Sequence, residues 1–261
     1  MGAPIINAGE FAAFVLVLLR LSMMAALAPI IGSANIVSQV KVALALTLTF
    51  VVAPTVNYSA DLMPMTWFGF AYLAMGELMV GLAMAFMVRL VLETANLAGE
   101  YLSFQMSMTM VNVMDPQSGA QVPVVSRLVY IIFVLLFLLA NGHLVVIKAV
   151  VDSFKVIPPG QVMFWDGRTF TEIMLAVGRM YILAVKIAAP VVGLLFCVKV
   201  SFGIVAKAVP QMQVLFVGMP LYILAGLVLV GFSMDFWPRL VGQAIFEAQT
   251  GLNRLVGIWV P

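Results

Sequence analysis

Charge is what this sequence has least of. Among 261 residues there are 13 Lys or Arg and 11 Asp or Glu, so charged residues make up 9% of the chain and apolar ones 64%. Soluble domains carry charge on about a quarter of their residues. A mean hydropathy of +1.15 points the same way, to a membrane protein. The basic residues are scattered singly and form no block or stripe able to neutralise successive phosphates, which excludes a nucleic-acid binder. Cysteine is nearly absent: Cys197 stands alone in an apolar stretch, so there is no intrachain disulfide framework and no thiolate set for zinc or an iron–sulfur cluster. Histidine is as scarce, with His143 alone at the end of an apolar run and no second imidazole to complete a histidine-rich metal site. Neither a G-x-x-x-x-G-K-[ST] loop nor a G-x-G-x-x-G string occurs, so ATP hydrolysis and dinucleotide chemistry have no motif to rest on. No cofactor is expected and no enzymatic activity. The first nine residues are uncharged and Glu10 precedes the first apolar run, unlike the basic start of a secretory signal, so that run is expected to stay as an anchor.

What is present is length without charge. A bilayer crossing needs about 20 apolar residues. Val42 to Ala60, Leu128 to Ile147 and Ala208 to Met234 are uninterrupted by charge. Phe11 to Ile31 with Arg20, Leu62 to Val88 with Glu77, and Ile173 to Val198 with Arg179 and Lys186 are equally long but carry embedded charges. The expectation is an all-α membrane protein with about six hydrophobic helical segments. Pro29, Pro190, Pro210 and Pro220 fall in or beside these runs and predict kinked or broken helices. A charge at the bilayer centre costs about 2.5–3.5 kcal/mol on insertion scales, so Arg20, Glu77, Lys186 and Lys199 are expected to face partners, water or a cavity. Basic residues in the loops are offset by acidic neighbours, and charge does not orient the chain. Pro158, Pro159, Gly160 and Gly167 read as turns and mark the best boundary between two halves.

The informative stretch begins at Arg89. Polar residues recur at Arg89, Glu93, Asn96, Glu100, Ser103 and Ser107 with helical spacing, one stripe in an otherwise apolar chain, and Leu90, Leu97, Tyr101, Phe104 and Met108 follow one position later. Such a stripe faces water, a charged partner or the bilayer interface; Arg89 and Glu93 are spaced to pair along it. Next come Met106, Met108, Met110 and Met114, within nine positions, and then Asp115, Pro116, Gln117, Ser118 and Gly119. The second group has turn chemistry. Unbranched, polarizable methionines either fill irregular gaps in a core or form a deformable seal, and composition alone leaves both uses open.

Three strings carry a resemblance beyond periodicity: Ala98-Gly99-Glu100, the run Asp115-Pro116-Gln117-Ser118-Gly119-Ala120 followed by Val122-Pro123 and Ser126-Arg127, and Asn141-Gly142-His143-Leu144. With Arg20, Pro29 and Gly32, the stretch Val40 to Ala45, and Pro210-Gln211 with Gly218 and Pro220, they make the chain similar over essentially its whole length to the FliR/SctT family of type III secretion export-gate subunits. Lys199, Lys207 and Gln213 depart from the residues expected at those positions, Asn being expected where Lys199 stands. The resemblance implies kinked helical hairpins in a helical gate complex, held in the bacterial inner membrane and flagellar basal body. One copy would join several FliP and FliQ subunits, with FlhB and FlhA nearby and exported flagellar proteins as substrates. Residues 1–157 would be FliP-like, with a channel plug over 106–119, and residues 173–261 a FliQ-like hairpin. Arg20, Glu77, Lys199 and Lys207 would be subunit contacts.

Two other functions fit the residues themselves. A secondary transporter for a small solute or ion would place Arg20, Glu77, Lys186 and Lys199 at a midplane site between discontinuous helices, although no inverted repeat is visible. A scaffold without a channel is the other.

Overall fold

A computed structural model describes residues 8–27, 37–56, 66–108, 124–161, 167–208 and 214–259. Met110, Met114, Asp115, Pro116, Gln117, Ser118 and Gly119 of the expected plug lie outside the described residues, as do Pro29, Pro210 and Gln213. Among the described residues there are eight α-helices and no strand: α1 (Ala8–Leu27), α2 (Ser38–Val52), α3 (Trp67–Gln105), α4 (Val124–Leu139), α5 (Gly142–Val156), α6 (Gly167–Ala208), α7 (Val214–Ser233) and α8 (Trp237–Ile258). The all-α class is as the composition predicts. Five helical stretches are long and apolar enough to cross a membrane, or six if α4 and α5 are taken together as one broken crossing.

Segment boundaries differ from the apolar windows in several places, and two of the differences change the number of helices. Leu128 to Ile147 reads as one uninterrupted run but is two helices, separated where Asn141 takes φ 55°. Asparagine is among the few residues that enter the left-handed region readily. Its carbonyl then accepts from the amides of Leu144 and Val145, starting α5. Hydropathy cannot register such a break, because the residues on both sides are apolar. The window ending at Val88 and the polar stripe after it form a single helix, α3, of 39 residues. Prolines break less than expected: Pro190 lies inside α6 and Pro220 inside α7, and both helices continue past them. Each ring is exposed, so each costs its helix one ladder bond without obstructing a packed neighbour.

The chain divides into two compact units: residues 1–90, 141–177 and 246–261 form one, and residues 91–140 and 178–245 the other. In the first, α1 packs along α2, and Ala13, Leu16, Val17, Leu21, Met24 and Ala25 of α1 are buried. In the second, Val125, Val129, Phe133 and Phe137 recur every fourth residue and give α4 one buried face. Helix α3 is the most enclosed of the membrane-length helices, with 67% of its apolar window buried against 17–39% in the others. Hydroxyls in the apolar helices are satisfied locally: Thr49 donates to the Ala45 carbonyl at 2.7 Å, Ser103 to Gly99 at 2.8 Å and Ser233 to Val230 at 2.8 Å. Such bonds meet the requirement that polar groups in hydrocarbon find partners within the protein.

Candidate functional site

Each unit holds a polar arrangement built from residues distant in the sequence. In the first unit, Gly81 has no Cβ because one would lie 2.8 Å from the Arg20 carbonyl, and this close approach brings α1 against α3 one turn beyond Glu77. Arg20 Nε then donates to Glu77 Oε2 at 2.6 Å, with both side chains wholly buried. Arg20 Nη1 reaches Ser153 Oγ at 3.2 Å, both terminal nitrogens reach the Ile157 carbonyl at 3.3 Å, and the guanidinium lies 4.2 Å from the Phe154 ring centre. Glu77 Oε1 accepts from the Gly160 amide at 3.0 Å, and Gly160 holds the turn with φ 83°. The Pro158–Gly160 turn expected from sequence is therefore fastened to a buried ion pair. Arg20 and Glu77, expected as subunit contacts, are enclosed in the chain and engaged with each other. Desolvating two charges is repaid only when geometry and extra hydrogen bonds are good, as they are here.

In the second unit the arrangement lies at the end of α3. Ser107 sits at φ 61° and its amide donates to the Phe104 carbonyl at 3.0 Å, while the Met108 amide donates to the Ser103 carbonyl at 3.1 Å. Those two bonds with a left-handed residue between them are a Schellman stop. Lys199 on α6 donates to Gln105 Oε1 at 2.7 Å and stands 5.7 Å from the Tyr222 ring centre on α7. Phe202 meets the same Tyr222 ring edge-on at 5.7 Å. Met106 is fully buried, and a Cβ on Gly226 would come within 2.5 Å of its Cε. Of the two uses of methionine left open, Met106 has the packing one. Met108 is half-buried.

The polar stripe is present in part. Arg89 and Glu100 are exposed, Glu93 and Asn96 half-buried, with Asn96 Nδ2 donating to Glu93 Oε2 at 3.0 Å. Ser103 is buried and bonded along its own helix, and Ser107 leaves the helix as the residue after its cap. The accompanying apolar row does not pack uniformly: Leu90 is buried, whereas Tyr101 and Phe104 are exposed. Gly99 admits α4 so closely that a Cβ would lie 2.6 Å from Ser126 Cα, which accounts physically for Gly99 and Ser126 in the recognised strings. Lys186 and Lys207 are exposed. The four charges of a supposed midplane site are thus divided: Arg20 and Glu77 belong to one unit, Lys186 and Lys199 to the other. Sequence reasoning passed over Gln105, Ser153 and Tyr222 as partners, since Gln105 and Lys199 are 94 positions apart and Arg20 and Ser153 are 133 apart.

Membrane-length apolar helices, a buried ion pair within them and locally satisfied hydroxyls define a multi-pass α-helical membrane protein. The sequence comparisons narrow that class. The family model for bacterial export proteins, family 1, matches residues 11–248. The chain is 30% identical over 253 residues to the flagellar biosynthetic protein FliR of Bacillus subtilis (strain 168), covering 95% of this chain and 97% of that one. It is 29% identical to FliR of Escherichia coli (strain K12), covering 83% and 82%, and 26% identical to FliR of Pectobacterium carotovorum subsp. carotovorum, covering 84% and 83%. The chain belongs to the FliR family of bacterial export proteins.

Proposed function

We propose that this chain is a non-enzymatic subunit of the flagellar type III export gate, helping to form and plug the channel through which unfolded flagellar proteins cross the inner membrane. The observation that carries this reading is the match of residues 11–248 to the export family, together with relatives named for flagellar biosynthesis along nearly the full length. In this reading one copy joins FliP and FliQ subunits in the basal body, with FlhB and FlhA as further partners. Residues 1–157 take the place of a FliP-like part and residues 173–261 that of a FliQ-like hairpin.

The plug is the segment from Met106 to Gly119. Supporting it is the Schellman stop, which ends α3 at Gln105 and is completed by the Met108 amide. Met106 serves as the buried stem, and Met108, Met110 and Met114 provide the yielding seal. Arg89, Glu93, Asn96 and Glu100 form a polar face for the channel or a neighbouring subunit.

Native mass spectrometry of the detergent-extracted chain, alone and co-expressed with FliP and FliQ, tests the gate. The expected result is one copy in a large hetero-oligomer; a stable monomer or homodimer that ignores both partners overturns it. Deleting residues 109–117 while keeping Met106 and the helix stop tests the plug. Ion leakage through correctly assembled complexes is expected, and a tight membrane around them overturns that role.

A further inference from the structure

A concave apolar site remains in the first unit that none of the export chemistry uses. It lies where the N-terminal turns of α1, the end of α2 with the Ala53–Thr55 turn after it, and the Pro158–Gly160 turn converge. Its free volume is about 530 Å³, within the range of about 300–1,000 Å³ typical of small-molecule sites. Phe14, Val17, Phe50, Pro54 and Pro159 wall it, and the Phe14 and Phe50 rings meet at 5.2 Å between centres. Among the described lining residues Glu10 is the one ionisable group, with no Lys, Arg or His beside it.

Position determines which ligand suits such a groove. The membrane-length stretches of these helices are Gly9–Leu27 and Ser38–Thr55, so the groove is at one end of both, the level at which a helix that crosses a bilayer meets the headgroups. Glu10 is exposed there. Val17 lies two turns further along α1, about 10 Å deeper at the helical rise per residue. An apolar slot descending about 10 Å from a carboxylate at headgroup level matches one acyl chain below an amine. Anionic headgroups are disfavoured, because their phosphate would approach Glu10 with no cation among the described lining residues to offset it.

We propose that this groove binds one acyl chain of an amine-bearing phospholipid, with the headgroup ammonium paired to the Glu10 carboxylate. The occupant is a bilayer lipid rather than a transported solute, and the inference stands independently of the plug. No covalent step is involved. The site fastens the α1–α2 end of the chain to the membrane interface through a carboxylate that the buried ion pair does not use.

The test uses the full chain, reconstituted in nanodiscs containing equal amounts of phosphatidylethanolamine and phosphatidylglycerol, released, and weighed by native mass spectrometry. One tightly retained phosphatidylethanolamine per chain is expected, in preference to phosphatidylglycerol. Glu10→Gln is expected to lower that preference about three- to tenfold, as loss of an interfacial ion pair with its charge-assisted hydrogen bond does, and it alters an exposed residue. Ala53→Phe, which fills the groove from its wall, is expected to abolish retention of either lipid while α-helical content is unchanged. Equal retention of both lipids by the wild-type chain overturns the proposal, as does retention of none. A lipid preference unaffected by Glu10→Gln or Ala53→Phe, or a photocrosslink from the groove to a peptide segment in place of lipid, overturns it too.

Discussion

Lys199 Nζ stands 2.7 Å from Gln105 Oε1, so a cation on α6 holds the last helical residue of α3 two positions before the chain turns at Ser107. Placed at a helix C-terminus, the ammonium also complements the negative end of the helix dipole. Lys199→Met removes the hydrogen bond and the Tyr222 contact, at an expected cost of about 1–2 kcal/mol. Hydrogen exchange should rise at the amides of Met106 to Met108, whereas Lys199→Arg should preserve protection. Unchanged exchange in Lys199→Met would show that the Schellman stop holds without the lysine.

Ser107 carries the backbone penalty of a left-handed residue, φ 61°, at the position where helices most often place glycine. Ser107→Gly is expected to stabilise the chain by about 0.5–1 kcal/mol, the left-handed penalty less the added backbone entropy of glycine. Ser107→Val, β-branched at the same φ, is expected to lower stability. Thermal unfolding midpoints of the purified variants decide the matter; a fall with Gly would contradict this geometry.

The Arg20–Glu77 pair yields a coupled prediction. Arg20→Met leaves a wholly buried carboxylate without its guanidinium, and such half-broken pairs cost about 3–5 kcal/mol. The double variant Arg20→Met with Glu77→Leu is expected to be more stable than Arg20→Met alone, since no uncompensated charge remains. Amounts of folded protein extracted from membranes and unfolding midpoints report both. Additive losses in the double variant would mean the two side chains act independently.

Cys197 is exposed on α6 among Phe196, Val200 and Ile204, which are exposed as well. As the single thiol of the chain it reports who covers that face. Maleimide labelling in detergent is expected to be fast for the chain alone and at least about tenfold slower after co-assembly with FliP and FliQ. Equal rates would leave this face of α6 outside the gate interfaces.

Helical class and membrane character were legible in the sequence because both depend on composition and run length, which survive any arrangement of the helices. Turn chemistry was legible too, at Pro158 to Gly160, because φ preferences are local. The Asn141 break was hidden by apolar residues on both sides, and the fusion of Leu62–Val88 with the polar stripe was hidden by the change in polarity within one helix. Pairings were the least legible part. Arg20 and Glu77 each read as a costly charge seeking a partner, correctly in physical terms, yet nothing local shows that the partner is the other, 57 positions away. Ser107 fits the period of the stripe and still leaves the helix, because a stop depends on the hydrogen bonds of four residues at once.

Helices α3 and α6, of 39 and 42 residues, each measure about 60 Å at the α-helical rise, against a hydrocarbon layer of about 30 Å. Each rod is therefore about twice as long as that layer is thick, and in α6 only a third of the apolar window is sheltered by the chain itself. A copy without partner chains would leave that apolar face uncovered by protein. In the proposed gate, supply of the other subunits would then set how much of this one is covered, and a cell making it in excess would gain no additional export machinery.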